Sequence, residues 1–440
     1  MSTASPAQPG CRGLLRLQGA AAFFFTAAVG RIGIAMTGLG LVWLVHHRSG
    51  SYAVAGLVVG AFAVAEALAG PQLARLIDRF GQVRVLPPAV VAHAAAVGGL
   101  LLSASAPRWA LVSCGALAGA AVPQLGALSA ARWAAMLRQQ EPGRPGPQAL
   151  PTAFSLESMA NGTAFLIGPV LVSFLGALGR PAAATAVATT LITAGGLGLA
   201  VQRGTAPRSV VDAAERGRAA RTLLRPGFVV LVALNLAIGV HFGAMGLSVT
   251  AFVVERGAAT AAPALFAAGS VGALLAGWLY GLRRWRRAPS AQLALATAAL
   301  AAGCPLLLVA GSPVQLAGAV VVVEGMIPPV LVLFSVLTEA GVHRAVLTQA
   351  LTWLNSASAA GSAAAAAVAG HAVDADGANG GFALTLGASP AMTVLAAGRW
   401  AAYRRTVDGG PRPHPLRTAL GRNPVNVPGH STGGFRGTGP

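Results

Sequence analysis

Lysine is absent from this chain, and the 31 basic residues, all arginine, face only 12 acidic ones. Charged residues make up 10% of the sequence, against about 25% in a soluble domain. The three cysteines, Cys11, Cys114 and Cys304, are scattered, so neither a disulfide framework nor a metal-binding spacing follows from them. HExxH and GxxxxGK[ST] are missing, and with them the zinc-protease and P-loop nucleotide-hydrolysing chemistries; the one GxSxG string, GHSTG at 429–433, lies in the Pro- and Gly-rich tail, without the strand and helix that a nucleophile elbow needs. The chain is not expected to be an enzyme, and no cofactor or metal is expected. Energy for any vectorial work would come from an ion gradient, a proton gradient first, or from the substrate's own. The missing lysine beside abundant Ala and Gly is a codon-level mark of a GC-rich bacterial genome and says nothing about function.

What is present is apolar sequence. Hydrophobic residues reach 55% and the mean hydropathy is +0.67. Crossing a bilayer core of about 30 Å takes roughly 20 apolar residues. Runs of that kind occur at 20–45, 52–70, 86–105, 109–131, 153–177, 182–201, 227–250, 262–282, 290–311, 313–336, 347–370 and 380–400. The fold class expected is an all-α integral membrane bundle of about twelve transmembrane helices, here numbered spans 1 to 12.

The net charge of +19 does not predict a nucleic-acid partner, because its distribution follows the membrane. With the N-terminus inside, Arg48, Arg108, Arg180 and Arg256 fall outside, Arg31 lies within a helix, and every other arginine is cytoplasmic. That is the positive-inside pattern, with basic segments anchored beside anionic lipid. The expected location is the inner (cytoplasmic) membrane, multi-pass, with both termini inside and the lipid bilayer as the surrounding partner. Residues 1–18 carry two prolines and only two arginines before an apolar run too long for a cleavable signal, so a signal anchor is expected.

Six spans precede and six follow Gln202–Arg225, which holds six Arg with Asp212 and Glu215. The expected organisation is a cytoplasmic segment 1–19, a six-helix half 20–201, a cytoplasmic linker 202–226 with a short amphipathic helix, a second half 227–400, and a tail 401–440. The tail is rich in Pro, Gly and Arg and cannot offset the entropy of ordering its backbone. The run 357–369, ASAAGSAAAAAVA, predicts a closely packed helix, since small residues let helix backbones approach in lipid.

The segment 70–86, GPQLARLIDRFGQVRVL, predicts a charged connection between spans 2 and 3. It resembles the signature loop of the major facilitator superfamily of transporters, with Ala74, Leu76, Asp78, Arg79, Gly81 and Leu86 on the pattern's positions. Ala74 replaces the first Gly, and Arg84 supplies a cation one place later than usual. The resemblance implies two similar six-helix halves built as parallel repeats, each of inverted three-helix units. Gly281–Arg287, GLRRWRR, then stands where the second half repeats the loop, without the acid but with the turn Gly. It also implies that Asp78 meets the start of span 11 and locks the halves together on the cytoplasmic side. A carboxylate is favoured near a helix N-terminus, and a sharp turn suits Gly81. Arg79, Arg84 and Arg132 are expected to complete an ionic cluster with Asp78 and Glu157.

A charge at the bilayer centre costs about 2.5–3.5 kcal/mol on insertion scales, so an intramembrane ionisable group is a functional candidate. Arg31 in span 1, His241 in span 7 and Glu324 in span 10 qualify, and the resemblance places them with Gln124 of span 4 around one central cavity. Two readings stand for Arg31 and Glu324: an ion pair that only neutralises two charges, or a substrate- or proton-handling site. Gly168-Pro169 in span 5 partly matches the family's antiporter signature, and Pro169 also reads as a plain helix kink. Glu66, Gln349, Trp353 and Asn355 cluster toward the cytoplasmic side. The function expected is a secondary active transporter, a proton-coupled exporter of hydrophobic or amphipathic small molecules working by alternating access as a monomer. The alternatives are an importer of a small organic anion clamped by Arg31, and a non-transporting, transporter-like sensor.

Overall fold

The computed structural model describes residues 10–49, 51–102, 107–139, 146–207, 213–258, 261–283, 285 and 287–408. The expectations about the first nine residues and about the tail from residue 409 onward lie outside these. Among the described residues, eleven helices are long and apolar enough to cross a membrane. Within a bilayer every backbone N–H and C=O must be satisfied inside the protein, which leaves helices as the solution for Ala-, Val- and Leu-rich runs.

Spans 1 to 3 are Ala20–Ser49, Tyr52–Phe80 and Gln82–Leu102. Span 4 is two helices, Arg108–Ala121 and Leu125–Arg138. Spans 5 and 6 are Leu150–Ala177 and Pro181–Val201. A short helix, Ala213–Arg221, sits in the linker. Spans 7 and 8 are Pro226–Glu255 and Ala262–Leu282. Span 9 is Pro289–Gly303 with Pro305–Val309, and span 10 is Pro313–Gly341.

Spans 11 and 12 share one continuous segment, Leu347–Asp408, broken by non-helical backbone at Asp376 and Gly377. A straight helix of 62 residues would reach roughly 93 Å, about three times the hydrocarbon core. Gly377 takes φ +65, and Glu255 at the end of span 7 accepts from the Ala378 amide at 2.7 Å. That carboxylate caps the helix that restarts there.

Two expectations need correction. Residues 70–80 are not loop: span 2 continues through Pro71 to Phe80, and Gly81 alone, at φ +90, makes the turn into span 3. A helix of 29 residues is about 44 Å long, so its last turns extend past the hydrocarbon and can carry charge. Gly281 is likewise not a turn glycine. It lies inside span 8, where a β-carbon would sit 2.7 Å from Ser155 Cβ of span 5.

The 357–369 run packs as expected. A β-carbon on Gly239 or Gly243 of span 7 would come within 2.0 or 2.2 Å of the Ser358 or Ser362 carbonyl of span 11. In the first half, Gly30 of span 1 and Gly195 of span 6 meet backbone to backbone in the same manner. Close backbone approach gives the dispersion contact that replaces the hydrophobic effect between helices in lipid.

Contacts between the halves gather at the end of the bundle that carries the linker. Thr152 Oγ1 of span 5 donates to the Gly281 carbonyl of span 8 at 3.1 Å. Arg138 of span 4 pairs with Glu339 of span 10 at 3.2 Å. Glu215 of the linker helix lies 3.8 Å from His343 and 3.9 Å from Arg344, just ahead of span 11.

Candidate functional site

Arg31 lies eleven residues into span 1 and is 5% exposed. Its Nη1 donates to the Glu157 main-chain carbonyl at 3.0 Å, and its Nη2 pairs with Glu157 Oε2 of span 5. Ser129 Oγ of span 4 donates to the other carboxylate oxygen at 2.6 Å. Gly126, one turn after the break in span 4, would place a β-carbon 3.4 Å from Arg31 Nε. The buried guanidinium and carboxylate therefore neutralise each other inside the first half.

Glu324 has a different partner. Its Oε1 lies 3.2 Å from His241 Nε2 of span 7. The imidazole is almost fully buried, while the Glu324 side chain is 20% exposed. The buried Cys304, at the break in span 9, faces the same imidazole. The Arg31–Glu324 pair, one of the two readings of these charges, is thus not formed. Each half satisfies its own intramembrane charge with the helices packed directly against it: spans 1, 4 and 5 in the first half, spans 7 and 10 in the second.

Gln124 sits at the interruption of span 4, where Val122, Pro123 and Gln124 leave helical hydrogen bonding. Its Nε2 donates to Glu66 Oε1 of span 2 at 2.9 Å. Pro123 supplies the cause, since it lacks an amide donor and disfavours helical backbone in the residue before it. Helix interruptions at mid-membrane commonly line the binding sites of transporters. This break was readable from Pro123 inside an otherwise apolar run.

Asp78 is placed as the resemblance implied. Its Oδ2 accepts from the Gln349 amide in the first turn of span 11 at 2.9 Å, and Thr348 adds its side chain. Gly70 brings the same face of span 2 against Thr352, with a β-carbon 3.4 Å from its Cγ2.

The ionic cluster around Asp78 does not form. Glu157 is taken by Arg31 and Ser129. Arg132 is fully buried and binds Gln82 Oε1 at 2.8 Å, Thr205 Oγ1 at 2.6 Å, and the Leu199 and Gln202 carbonyls at 2.7 and 2.8 Å. It fastens spans 3, 4 and 6 of one half and meets no carboxylate. Arg79 stacks over Phe80 with its guanidinium 4.8 Å from the ring centroid. Arg84 is exposed. The cation that does bridge the halves is Arg138, which the sequence reading missed.

In span 5 the helix runs unbroken through Pro169. Gly168 faces span 1, where a β-carbon would lie 2.9 Å from Ala35 Cβ. Gly168 and Pro169 therefore fix how spans 1 and 5 meet. Trp353 is half-buried and Asn355 exposed, and neither is hydrogen-bonded to Glu66, whose side-chain partner is Gln124.

The structure is thus a helical bundle in two halves, with buried polar pairs in each and the Asp78 carboxylate hydrogen-bonded across them to the start of span 11. The sequence profile of the Major Facilitator Superfamily matches residues 23–366, and the chain belongs to that family. It is a transporter of small molecules.

Solved structures agree on the fold. A bacterial homologue of the iron transporter ferroportin, in an outward-facing state, superposes with a TM-score of 0.70 at 13% identity, covering 87% of this chain and 99% of that one. The human organic anion transporter MFSD10 (TETRAN) gives 0.64 at 17% identity, covering 88% and 100%. FucP in the outward conformation gives 0.63 at 14% identity, covering 86% and 98%. Among curated proteins, none matches the chain.

Proposed function

We propose that the chain is a proton-coupled exporter of hydrophobic or amphipathic small molecules, with Glu324 as the proton-carrying group. The observation that carries this reading is the Glu324–His241 contact at 3.2 Å, with the carboxylate partly exposed and the imidazole buried. A partly exposed carboxylate with a basic partner behind it is a group that can take up and release a proton. The surrounding helices are mostly Ala, Val, Leu, Phe and Gly, which suits poorly hydrated substrates better than sugars. The importer reading has less support, because Arg31 already spends its charge on Glu157 and offers no free cation to an anionic substrate. No feature of the described linker favours a sensor.

The test is reconstitution into proteoliposomes with an imposed pH gradient. Uphill movement of a lipophilic dye that collapses with a protonophore is the expected result, and gradient-independent movement would sink the coupling. The arginine distribution supports both termini facing the cytoplasm at the plasma membrane, and a monomer is what the family resemblance implies. Reporters fused after Ala214 and after Gly410 should then both read cytoplasm.

In this reading Asp78 is the latch of the cytoplasm-closed state, together with Arg138–Glu339. Asp78→Asn should express normally and lose most transport. The amide can still accept from Gln349, but the charge–dipole contact, worth roughly 0.3–1 kcal/mol when exposed and more when partly buried, disappears. Unaltered dye transport by well-expressed Asp78→Asn would remove this contact from the mechanism.

A further inference from the structure

A cavity of about 150 Å³ lies between the start of span 7 and the ends of spans 10 and 12, away from the residues discussed above. Drug-sized ligands occupy sites of roughly 300–1,000 Å³, so this one suits a headgroup, not a transported molecule. Its floor is apolar, made by Phe228, Leu231, Leu337 and Val342, and Arg225 and Arg399 stand over it. Among the described residues, no acidic one lines it.

Thr338 also lines the cavity; it is fully buried, and its hydroxyl has no hydrogen-bond partner among the described residues. A hydroxyl left unpaired in the middle of a helix interface loses about 1–3 kcal/mol of desolvation energy unless a ligand atom meets it. Arg399 donates to the Gly227 carbonyl, which fixes its guanidinium at the rim. Arg225 starts span 7 through its own carbonyl, which accepts from Phe228 and Val229 at 2.9 and 3.1 Å, so its exposed side chain remains available.

The position selects the source of the ligand. The apolar spans 7, 10 and 12 begin or end at Pro226, Gly341 and Arg399, which puts the rim at the level where lipid phosphates sit. Leu224, Val229 and Val394 beside it are exposed at 79%, 52% and 71%, as a lipid-facing surface requires. We infer that this cavity binds the phosphate and glycerol of an anionic phospholipid, with Arg225 and Arg399 on the phosphate and the Thr338 hydroxyl toward the glycerol oxygens. Guanidinium groups suit this ligand because they bind phosphate oxygens in a planar, two-pronged way.

The test counts phosphatidylglycerol bound to the full-length protein by native mass spectrometry, from micelles that also contain phosphatidylcholine. The expected result is one phosphatidylglycerol retained preferentially by the native protein and by Arg287→Glu, an exposed loop control. Arg225→Glu and the milder Arg225→Gln should each lose it, with affinity down about tenfold, the scale of one charge-assisted contact. Arg399 is left in place because it also holds span 7. Both Arg225 variants alter an exposed side chain, and a melting temperature in phosphatidylcholine equal to the native protein's confirms that they fold. Equal phosphatidylglycerol retention by all four proteins overturns the site. Displacement of the lipid by millimolar inorganic phosphate overturns the assignment to lipid and makes the cavity a free-phosphate site.

Discussion

Arg31→Gln and Glu157→Gln should each unfold or badly destabilise the protein, and the double substitution should recover most of the loss. Both side chains are nearly inaccessible, at 5% and 8% exposure, so neither can turn to water when its partner is removed. Breaking a buried ion pair from one side costs about 3–5 kcal/mol, whereas replacing both charges is often neutral or stabilising. The low dielectric of the membrane interior strengthens that asymmetry. In Arg31→Gln the Ser129 hydroxyl still donates to the Glu157 carboxylate, and in Glu157→Gln the Arg31 guanidinium keeps the main-chain carbonyl of residue 157; each single variant nevertheless leaves one buried charge without its counter-ion. The pair also lies wholly within the first half, on spans 1 and 5, so rocking one half against the other need not break it. The double variant is expected to transport as well as to fold. Melting temperatures in detergent together with dye transport decide the matter: additive losses in the double variant, or a stable double variant without transport, would make the pair a working part of the mechanism.

How much of this was legible in the sequence depends on the range of each interaction. The spans were readable because hydropathy is local and a bilayer fixes their length. Asp78 stood out as a lone acid in a basic segment, and the family resemblance, not the residue pattern, supplied its partner at the start of span 11. The tight packing of 357–369 followed from composition alone. Ion pairing was not readable. Arg31, His241 and Glu324 were identifiable as costly charges and Glu157 was assigned to the cluster around Asp78, but which of them meet depends on helix order and rotation, set by contacts such as Gly30 on Gly195 and Gly239 on Ser358. Mid-membrane depth put Arg31 and Glu324 together on paper, while packing assigned them to separate halves. Arg132 misled for a related reason: helix-terminal carbonyls are acceptors as good as a carboxylate, and they leave no trace in a residue pattern. The end of span 2 was misjudged because charge marks where lipid stops, and a helix can continue past that point.

Glu324→Gln should fold, reach the membrane and carry dye down its gradient, yet lose uphill, proton-driven transport to the level of liposomes without protein. Gln keeps the size of Glu and can still accept from His241 Nε2, so the contact between spans 7 and 10 persists while the titrating group is gone. Gly269 packs against the Glu324 stem, with a β-carbon 3.3 Å from its Cγ, and that packing is also unaltered. Retained exchange beside lost coupling is the signature that separates a proton carrier from a scaffold, because a scaffold defect lowers both together. Glu66 is the competing carboxylate, half-buried in the first half and held by Gln124 at 2.9 Å. If the proton travels there, Glu66→Gln will abolish uphill transport and Glu324→Gln will not. The measurement is dye accumulation in proteoliposomes under a fixed pH gradient, run beside counterflow exchange without one. Full accumulation by Glu324→Gln would remove the His241–Glu324 pair from the coupling mechanism.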